Sequence, residues 1–170
     1  MELFVSPKSQ FELLSHEYFM NEALKEAVKA GNKLEIPIGA VIVKDGKLIS
    51  RAHNEKEIKN DCTLHAELTA IKKASRKLGT WRLIGCDMYV TLEPCTMCAG
   101  ALIHSRIDRL FIGASDPKAG AVGSIINVLG IEDFNHKVEV INGVLEKECS
   151  QLLKDFFRNL RKQKVSEKNE

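Results

Sequence analysis

No apolar run in this 170-residue chain approaches the roughly 18 residues that a membrane-spanning helix requires. The opening stretch, Met1-Glu2-Leu3-Phe4-Val5-Ser6-Pro7, has no basic segment and only a short apolar patch, which argues against a secretory signal and favours a cytoplasmic protein. Internal repeats, low-complexity tracts and breaks in composition are missing too, so a single domain is expected. Cysteines are few and odd in number, five in all, which speaks against a disulfide framework. The formal net charge is only +2, too small to announce a nucleic-acid protein by bulk charge. Any basic face must come from local placement.

What is present is an ordinary globular composition, 44% hydrophobic and 28% charged, long enough to bury a proper core. Residues 1–10 read as a loose extension, 11–162 as one domain and 163–170 as a polar tail. Met20, Ala23, Leu24, Ala27 and Val28 have helical spacing that stops at Gly31. Ile38 to Val43 and Lys47 to Ser50 flank Asp45-Gly46, a hairpin signal. A second helix is expected from about His65 to Gly79, with Leu68, Ile71, Ala74 or Ser75, and Leu78 turned inward. Lys72, Lys73, Arg76 and Lys77 make up its outer face. Met88 to Leu92 reads as a strand, Ala99 to His104 as a short helix, Asp108 to Gly113 as a buried strand and Lys137 to Ile141 as a last one. At about 100° per residue, Leu145, Cys149, Leu152, Leu153, Phe156 and Leu160 form one stripe of a C-terminal helix. This order predicts an α/β domain, a mixed sheet with helices on both faces. Trp81 is expected in the core, as are Cys62, Cys86 and Cys149 as small buried residues.

Two short sequences thirty positions apart carry chemistry: His65-Ala66-Glu67 and Pro94-Cys95-Thr96-Met97-Cys98. One imidazole and two thiols form a three-ligand zinc set that leaves a position open for water, as in catalytic sites. Cys95 and Cys98 are neighbours on one helical face if Pro94-Cys95 opens a helix, and a helix N-terminus favours thiolates. Asp61-Cys62-Thr63 offers capping oxygens before His65. Two helix N-termini would then aim at one point, with Glu67 as proton carrier. A lone His-x-Glu means little, and a lone Cys-x-x-Cys is ambiguous between zinc, redox and packing roles. Pro94 and the lack of thioredoxin-like surroundings weaken the redox reading, and the two motifs together read as one Zn²⁺ per subunit in a hydrolase.

The order His-x-Glu then Pro-Cys-x-x-Cys resembles the zinc-dependent nucleoside and nucleobase deaminases. That resemblance implies a cytidine-deaminase-like three-layer α/β/α sandwich around a five-stranded mixed sheet. It is closest to the bacterial tRNA-specific adenosine deaminases, through Pro37–Val43, Thr91–Ile107, Asp116–Ser124 and Phe156–Arg161. By this resemblance Glu67 shuttles protons while zinc-activated hydroxide displaces ammonia from the wobble adenosine of an arginine tRNA anticodon stem-loop, leaving inosine, and the enzyme is a homodimer. Asn54 matches the family's nucleoside-binding asparagine; by itself it reads as a loop Asn ending a strand. Phe157 and Arg161, at the edge of the C-terminal stripe, match the family's Phe-Phe-Arg-x-x-Arg terminus and become a platform for an unstacked base. Lys118 borders the anticodon entrance, and Asn135 matches another family loop. Glu55 stands where the family often has Arg, and Cys62 where it usually has Pro. A free-base deaminase acting on guanine or cytosine, and a non-catalytic zinc module that binds RNA, are the competing functions.

Overall fold

The computed structural model describes residues 7–166, with side chains from 16 to 163. Residues 1–6 and 167–170, where the expected extension and tail begin and end, lie outside the described residues. Helix α1 spans Pro7–Asn32, strand β1 Gly39–Lys44, β2 Lys47–His53, helix α2 Ala66–Leu78, β3 Cys86–Leu92, α3 Thr96–Ser105, β4 Arg109–Ala114, β5 Glu139–Asn142 and α4 Glu146–Ser166. The first helix thus starts well ahead of Met20, and α4 passes the Lys162 boundary of the expected tail. At the hairpin, Asp45 and Gly46 both have positive φ, 49° and 71°. This left-handed pair matches the right-handed twist of the flanking strands.

The sheet order is β2-β1-β3-β4-β5. β1 is antiparallel to both β2 and β3, whereas β3–β4 and β4–β5 are parallel. Strands β2 to β5 therefore share one direction, and β1 alone runs against them. Their C-terminal ends and the start of β1 meet at one edge of the sheet.

Side chains alternate between two cores because strand residues alternate between faces. Ala40, Ile42, Met88, Val90, Leu110 and Ile112 face α2 and α3, meeting Ala66, Ala70, Ala74, Ala99, Leu102 and Ile103. Val41, Val43, Tyr89 and Phe111 face the other way, against Phe19, Met20 and Ala23 of α1 and Cys149 of α4. Tyr89 and Phe111 are paired in register and stack with centroids 4.4 Å apart. Both sheet faces are covered, so the fold is the three-layer sandwich of the expectation. A Cβ on Gly39 would lie 2.0 Å from the Ala23 carbonyl oxygen, so glycine is what lets α1 press its backbone onto β1.

Three expectations fail. Trp81 is exposed, because the neighbouring Leu83 fills the core instead and Arg82 stacks its guanidinium 4.1 Å over the indole ring. Cys62 is exposed as well: it sits in the turn that Asp61 organises by accepting hydrogen bonds from the Thr63 amide and hydroxyl. The inward face of α2 is set by Ala66, Glu67, Ala70 and Ala74, with Ile71 and Leu78 only at its margin, so small residues bring α2 close to the sheet. Cys86 and Cys149 are buried as expected.

A charge network joins α1 to β2. Glu26 is buried, which by itself would raise its pKa, but hydrogen bonds from Lys29 and His53 outweigh that and hold it below its ordinary 4.5. A carboxyl depressed in the folded state stabilises fully above the ordinary value and loses that contribution as pH falls through the folded one. Glu26→Gln should therefore cost about 1–2 kcal/mol at pH 7, with the difference from the parent shrinking below pH ~4.5. Urea denaturation across pH 3–7 checks both the loss and its pH dependence.

Candidate active site

Each metal-type residue sits where a helix begins. His65 is the N-cap of α2 and Cys95 the N-cap of α3, both extended and both without a side-chain capping hydrogen bond. Asp61 does not cap α2, since its oxygen is taken by Thr63. Cys98 lies one turn into α3 and is fully buried. The His65 Nδ1 atom is 3.7 Å from the Cys95 sulfur and 3.6 Å from the Cys98 sulfur. The three donor atoms lie within 4.8 Å of one another.

These spacings are a test of what the site can hold. Zinc bonds of about 2.3 Å to sulfur and 2.0 Å to nitrogen at tetrahedral angles put sulfur and nitrogen about 3.5 Å apart, close to the distances found. The donor set and its spread fit such an ion, with a fourth direction left to water or substrate.

The electrostatics of the cluster suit a cation. The hydrogen bond from the Cys98 thiol, reinforced by His65 against the opposing effect of burial, holds the Cys95 thiol down to about 3. The Cys95 thiolate and burial push the Cys98 thiol up, and the same thiolate raises the His65 imidazole. A divalent ion would replace these shared protons. Glu67, in the first turn of α2, is only 4% exposed, and burial raises its carboxyl above the usual range. Its ionisation is linked to those of His65, Cys95 and Cys98, so the carboxyl and the donor cluster respond to one another's charge. A desolvated carboxyl with a raised pKa beside a metal set is suited to taking and returning a proton.

Two further carboxylates escaped the sequence reading. Glu93, at the end of β3 and two residues before Cys95, is 6% exposed. It accepts hydrogen bonds from the amides of Asp116 (2.9 Å), Val122 (3.0 Å) and Ser124 (3.0 Å), and from the Ser124 hydroxyl. The loop after β4 is thus wrapped around one side chain, and the Ala121 amide adds a bond to the Pro94 carbonyl. Glu35, just before β1, is completely buried and bonds Asn54 and Ile58. An isolated Glu in an apolar setting was the available signal for both.

The other predicted residues are dispersed. Asn54 is buried at the end of β2, on the same sheet edge. Lys118 is exposed on the Glu93-anchored loop, where Asp116 Oδ1 accepts from its amide. Asn135 accepts a hydrogen bond from Arg106, the C-cap of α3, so it lies near the far end of that helix, about 15 Å along it from Cys95. Phe157 is 39% exposed and meets Phe156 edge-on, with Arg161 exposed one turn further along α4.

With this geometry in place, similarity to known proteins is informative. The profile of the MafB19-like deaminases matches residues 14–161, so the chain belongs to the deaminases. Within them it belongs to the tRNA-specific adenosine deaminase family. The Bacillus subtilis (strain 168) tRNA-specific adenosine deaminase is 53% identical over 148 residues, covering 87% of this chain and 92% of the relative. A solved structure from work on A-to-I editing by tRNA:A34 deaminases at the wobble position of transfer RNA aligns with a TM-score of 0.77 and 48% identity, over 80% of this chain and 99% of that one. The guanine deaminase of Bacillus subtilis aligns with a TM-score of 0.59 and 33% identity, over 85% of this chain and 94% of its own.

The Glu93 anchor makes a prediction. A Cβ on Gly120 would lie 2.5 Å from both the Asp116 carbonyl oxygen and the Glu93 carboxylate. Gly120→Ala should force the loop off its anchor at a cost of about 1–3 kcal/mol, lowering Tm by roughly 3–10 °C. Thermal denaturation of the two proteins side by side is the check.

Proposed function

We propose that this chain hydrolytically deaminates adenosine to inosine at the wobble position of a tRNA anticodon, with zinc at His65, Cys95 and Cys98. The observation that carries the chemistry is the three-donor cluster at zinc-like spacing, with Glu67 buried in the helix turn that His65 opens. When bound, the ion supplies a Lewis acid that makes a nucleophile from water near neutral pH. Glu67 takes one proton from that water and delivers it to the adjacent ring nitrogen as the water oxygen bonds to C6 of the purine. It then moves the second proton from that oxygen to the amino nitrogen, so that the C6–N bond breaks, ammonia leaves and the ring keeps the oxygen. Burial of Glu67 excludes competing water and raises its pKa above the ordinary carboxyl value, which favours its holding a proton between the two steps.

The substrate reading rests on the family, and on the greater likeness to the tRNA:A34 deaminase structure than to the guanine deaminase. Asn54 would hydrogen-bond the flipped nucleoside, Lys118 would pair with phosphate at the entrance, and Phe157 with Arg161 would hold an unstacked base. Asn135, distant from its own metal cluster, would contact RNA from further along the surface. A homodimer acting on an arginine tRNA in the cytoplasm completes the reading. Among the described residues, no helix is long and apolar enough to cross a membrane.

The test incubates zinc-loaded protein with an arginine tRNA whose anticodon begins with adenosine, beside free guanine, cytosine and adenosine. Inosine confined to the wobble position is expected; ammonia from a free base with the tRNA unmodified would overturn the substrate. Glu67→Ala should retain stoichiometric zinc by elemental analysis while turnover falls by roughly 10²–10⁴-fold. Retained turnover would remove Glu67 from the mechanism.

The RNA face is tested separately by Phe157→Ala and Arg161→Ala. Losing a base–aromatic stack worth about 1–3 kcal/mol should weaken tRNA binding by roughly 5- to 150-fold without loss of zinc. Filter-binding titrations at fixed salt give the answer, and unchanged affinity would move the RNA elsewhere.

A further inference from the structure

Of the carboxylates buried at the catalytic edge, Glu67 serves the metal cluster and Glu93 is accounted for by the loop it anchors. Glu35 is not accounted for by either. It lies between Leu34 and Ile36, just ahead of β1, and its side chain has no exposure. Its partners are two neutral donors: the Ile58 amide, 2.7 Å from Oε1, and the Asn54 side-chain nitrogen, 3.2 Å from Oε2. Burying a carboxylate with no charge to pair against is costly, so an apolar residue would have suited the core better. What a carboxylate offers here is acceptor capacity alone.

That property bears on Asn54. A side-chain amide has a carbonyl on one arm and an NH₂ on the other, and rotation by half a turn exchanges them. Facing the Glu35 oxygen, only the NH₂ arm can point inward; the rotated amide would set oxygen against oxygen. The orientation of Asn54 is therefore chosen before any substrate arrives. Its carbonyl oxygen and second N–H hydrogen are left for other partners. The second Glu35 oxygen holds Ile58, in the segment that returns from Asn54 to His65. The Glu55 amide bonds the Leu64 carbonyl within that segment.

We infer that Glu35 is a positioning residue for substrate recognition, fixing the amide of Asn54 so that the target base meets a preset acceptor and donor. This rests on the proposed role of Asn54 in binding the nucleoside. Glu35 acts through Asn54 and touches no reacting atom, so its removal should weaken binding more than chemistry. In Glu35→Gln, the new NH₂ group must face one of the two N–H donors, and the orientation of Asn54 is released.

The experiment uses zinc-loaded full-length protein and the anticodon stem-loop of an arginine tRNA. Glu35→Gln should raise KM about tenfold, equivalent to about 1.4 kcal/mol, with kcat within about threefold of the parent. In an Asn54→Ala background the same substitution should leave KM unmoved, as coupling through Asn54 demands. An unchanged KM in the single variant, or an equal rise in both backgrounds, overturns the inference. A second measurement needs neither variant nor substrate. In the ¹⁵N-labelled parent, one Asn54 side-chain hydrogen should be protected from exchange; free exchange of both would equally overturn it. If the parent leaves the stem-loop unmodified, the functional reading fails, and amide exchange still decides whether Glu35 holds Asn54.

Discussion

Everything at the candidate site follows from one reversal of direction. β1 runs against the strands on either side of it, so β2, β3, β4 and β5 all finish at the edge where β1 starts. Chain segments that are distant in sequence leave or enter the sheet within a small area: Glu35 before β1, Asn54 after β2, Glu93 after β3 and Asp116 after β4. Open α/β sheets place their ligands outside the carboxyl ends of strands because loops there converge on a rigid base. Here the same edge also receives the first turns of α2 and α3, which bring His65 and Cys95 to their contact.

The helix termini explain why the metal set can be so short. A helix N-terminus has amide hydrogens without intrahelical partners and a partial positive charge. Usually a Ser or Asp side chain answers that need; neither α2 nor α3 has such a cap. Instead the N-cap positions carry the ligands, and the thiolate of Cys95 is compatible with the electrostatics of the helix it opens. Small side chains support this arrangement. Ala66, Ala70 and Ala74 let α2 lie close to the sheet, so Glu67 is drawn into the interior on the same turn that presents His65. A bulkier inner face would have lifted the helix and left the carboxylate in water.

The donor cluster was legible in the sequence because a metal-type set tolerates few residue types and few spacings, and His65, Cys95 and Cys98 do lie together. The hairpin at Asp45-Gly46 was legible for a similar reason, since two consecutive positive φ values restrict the residues that fit. Trp81 and Cys62 were misread because burial tendencies belong to residue types, whereas burial depends on which neighbour reaches the core first. Leu83 did so ahead of Trp81. Glu35 and Glu93 were silent for the opposite reason. Each is a single acidic residue with no partner nearby in sequence, and its donors come from loops 19 to 31 positions away. Only the assembled sheet edge shows that these carboxylates organise backbone.

The site therefore separates into parts held with different stringency. Cys98 and Glu67 are buried, His65 and Cys95 are half-buried, and all four are seated on helix starts, so small displacements would disturb several contacts at once. Lys118, Phe157 and Arg161 are exposed on a loop and on the far turns of α4, where packing constrains them little. A buried donor cluster and an exposed periphery can change independently. Glu35 and Glu93 stand at the boundary between the parts. Each is buried like the core, yet each holds a segment, 54–58 or 116–124, that reaches out toward the surface where a substrate must be read.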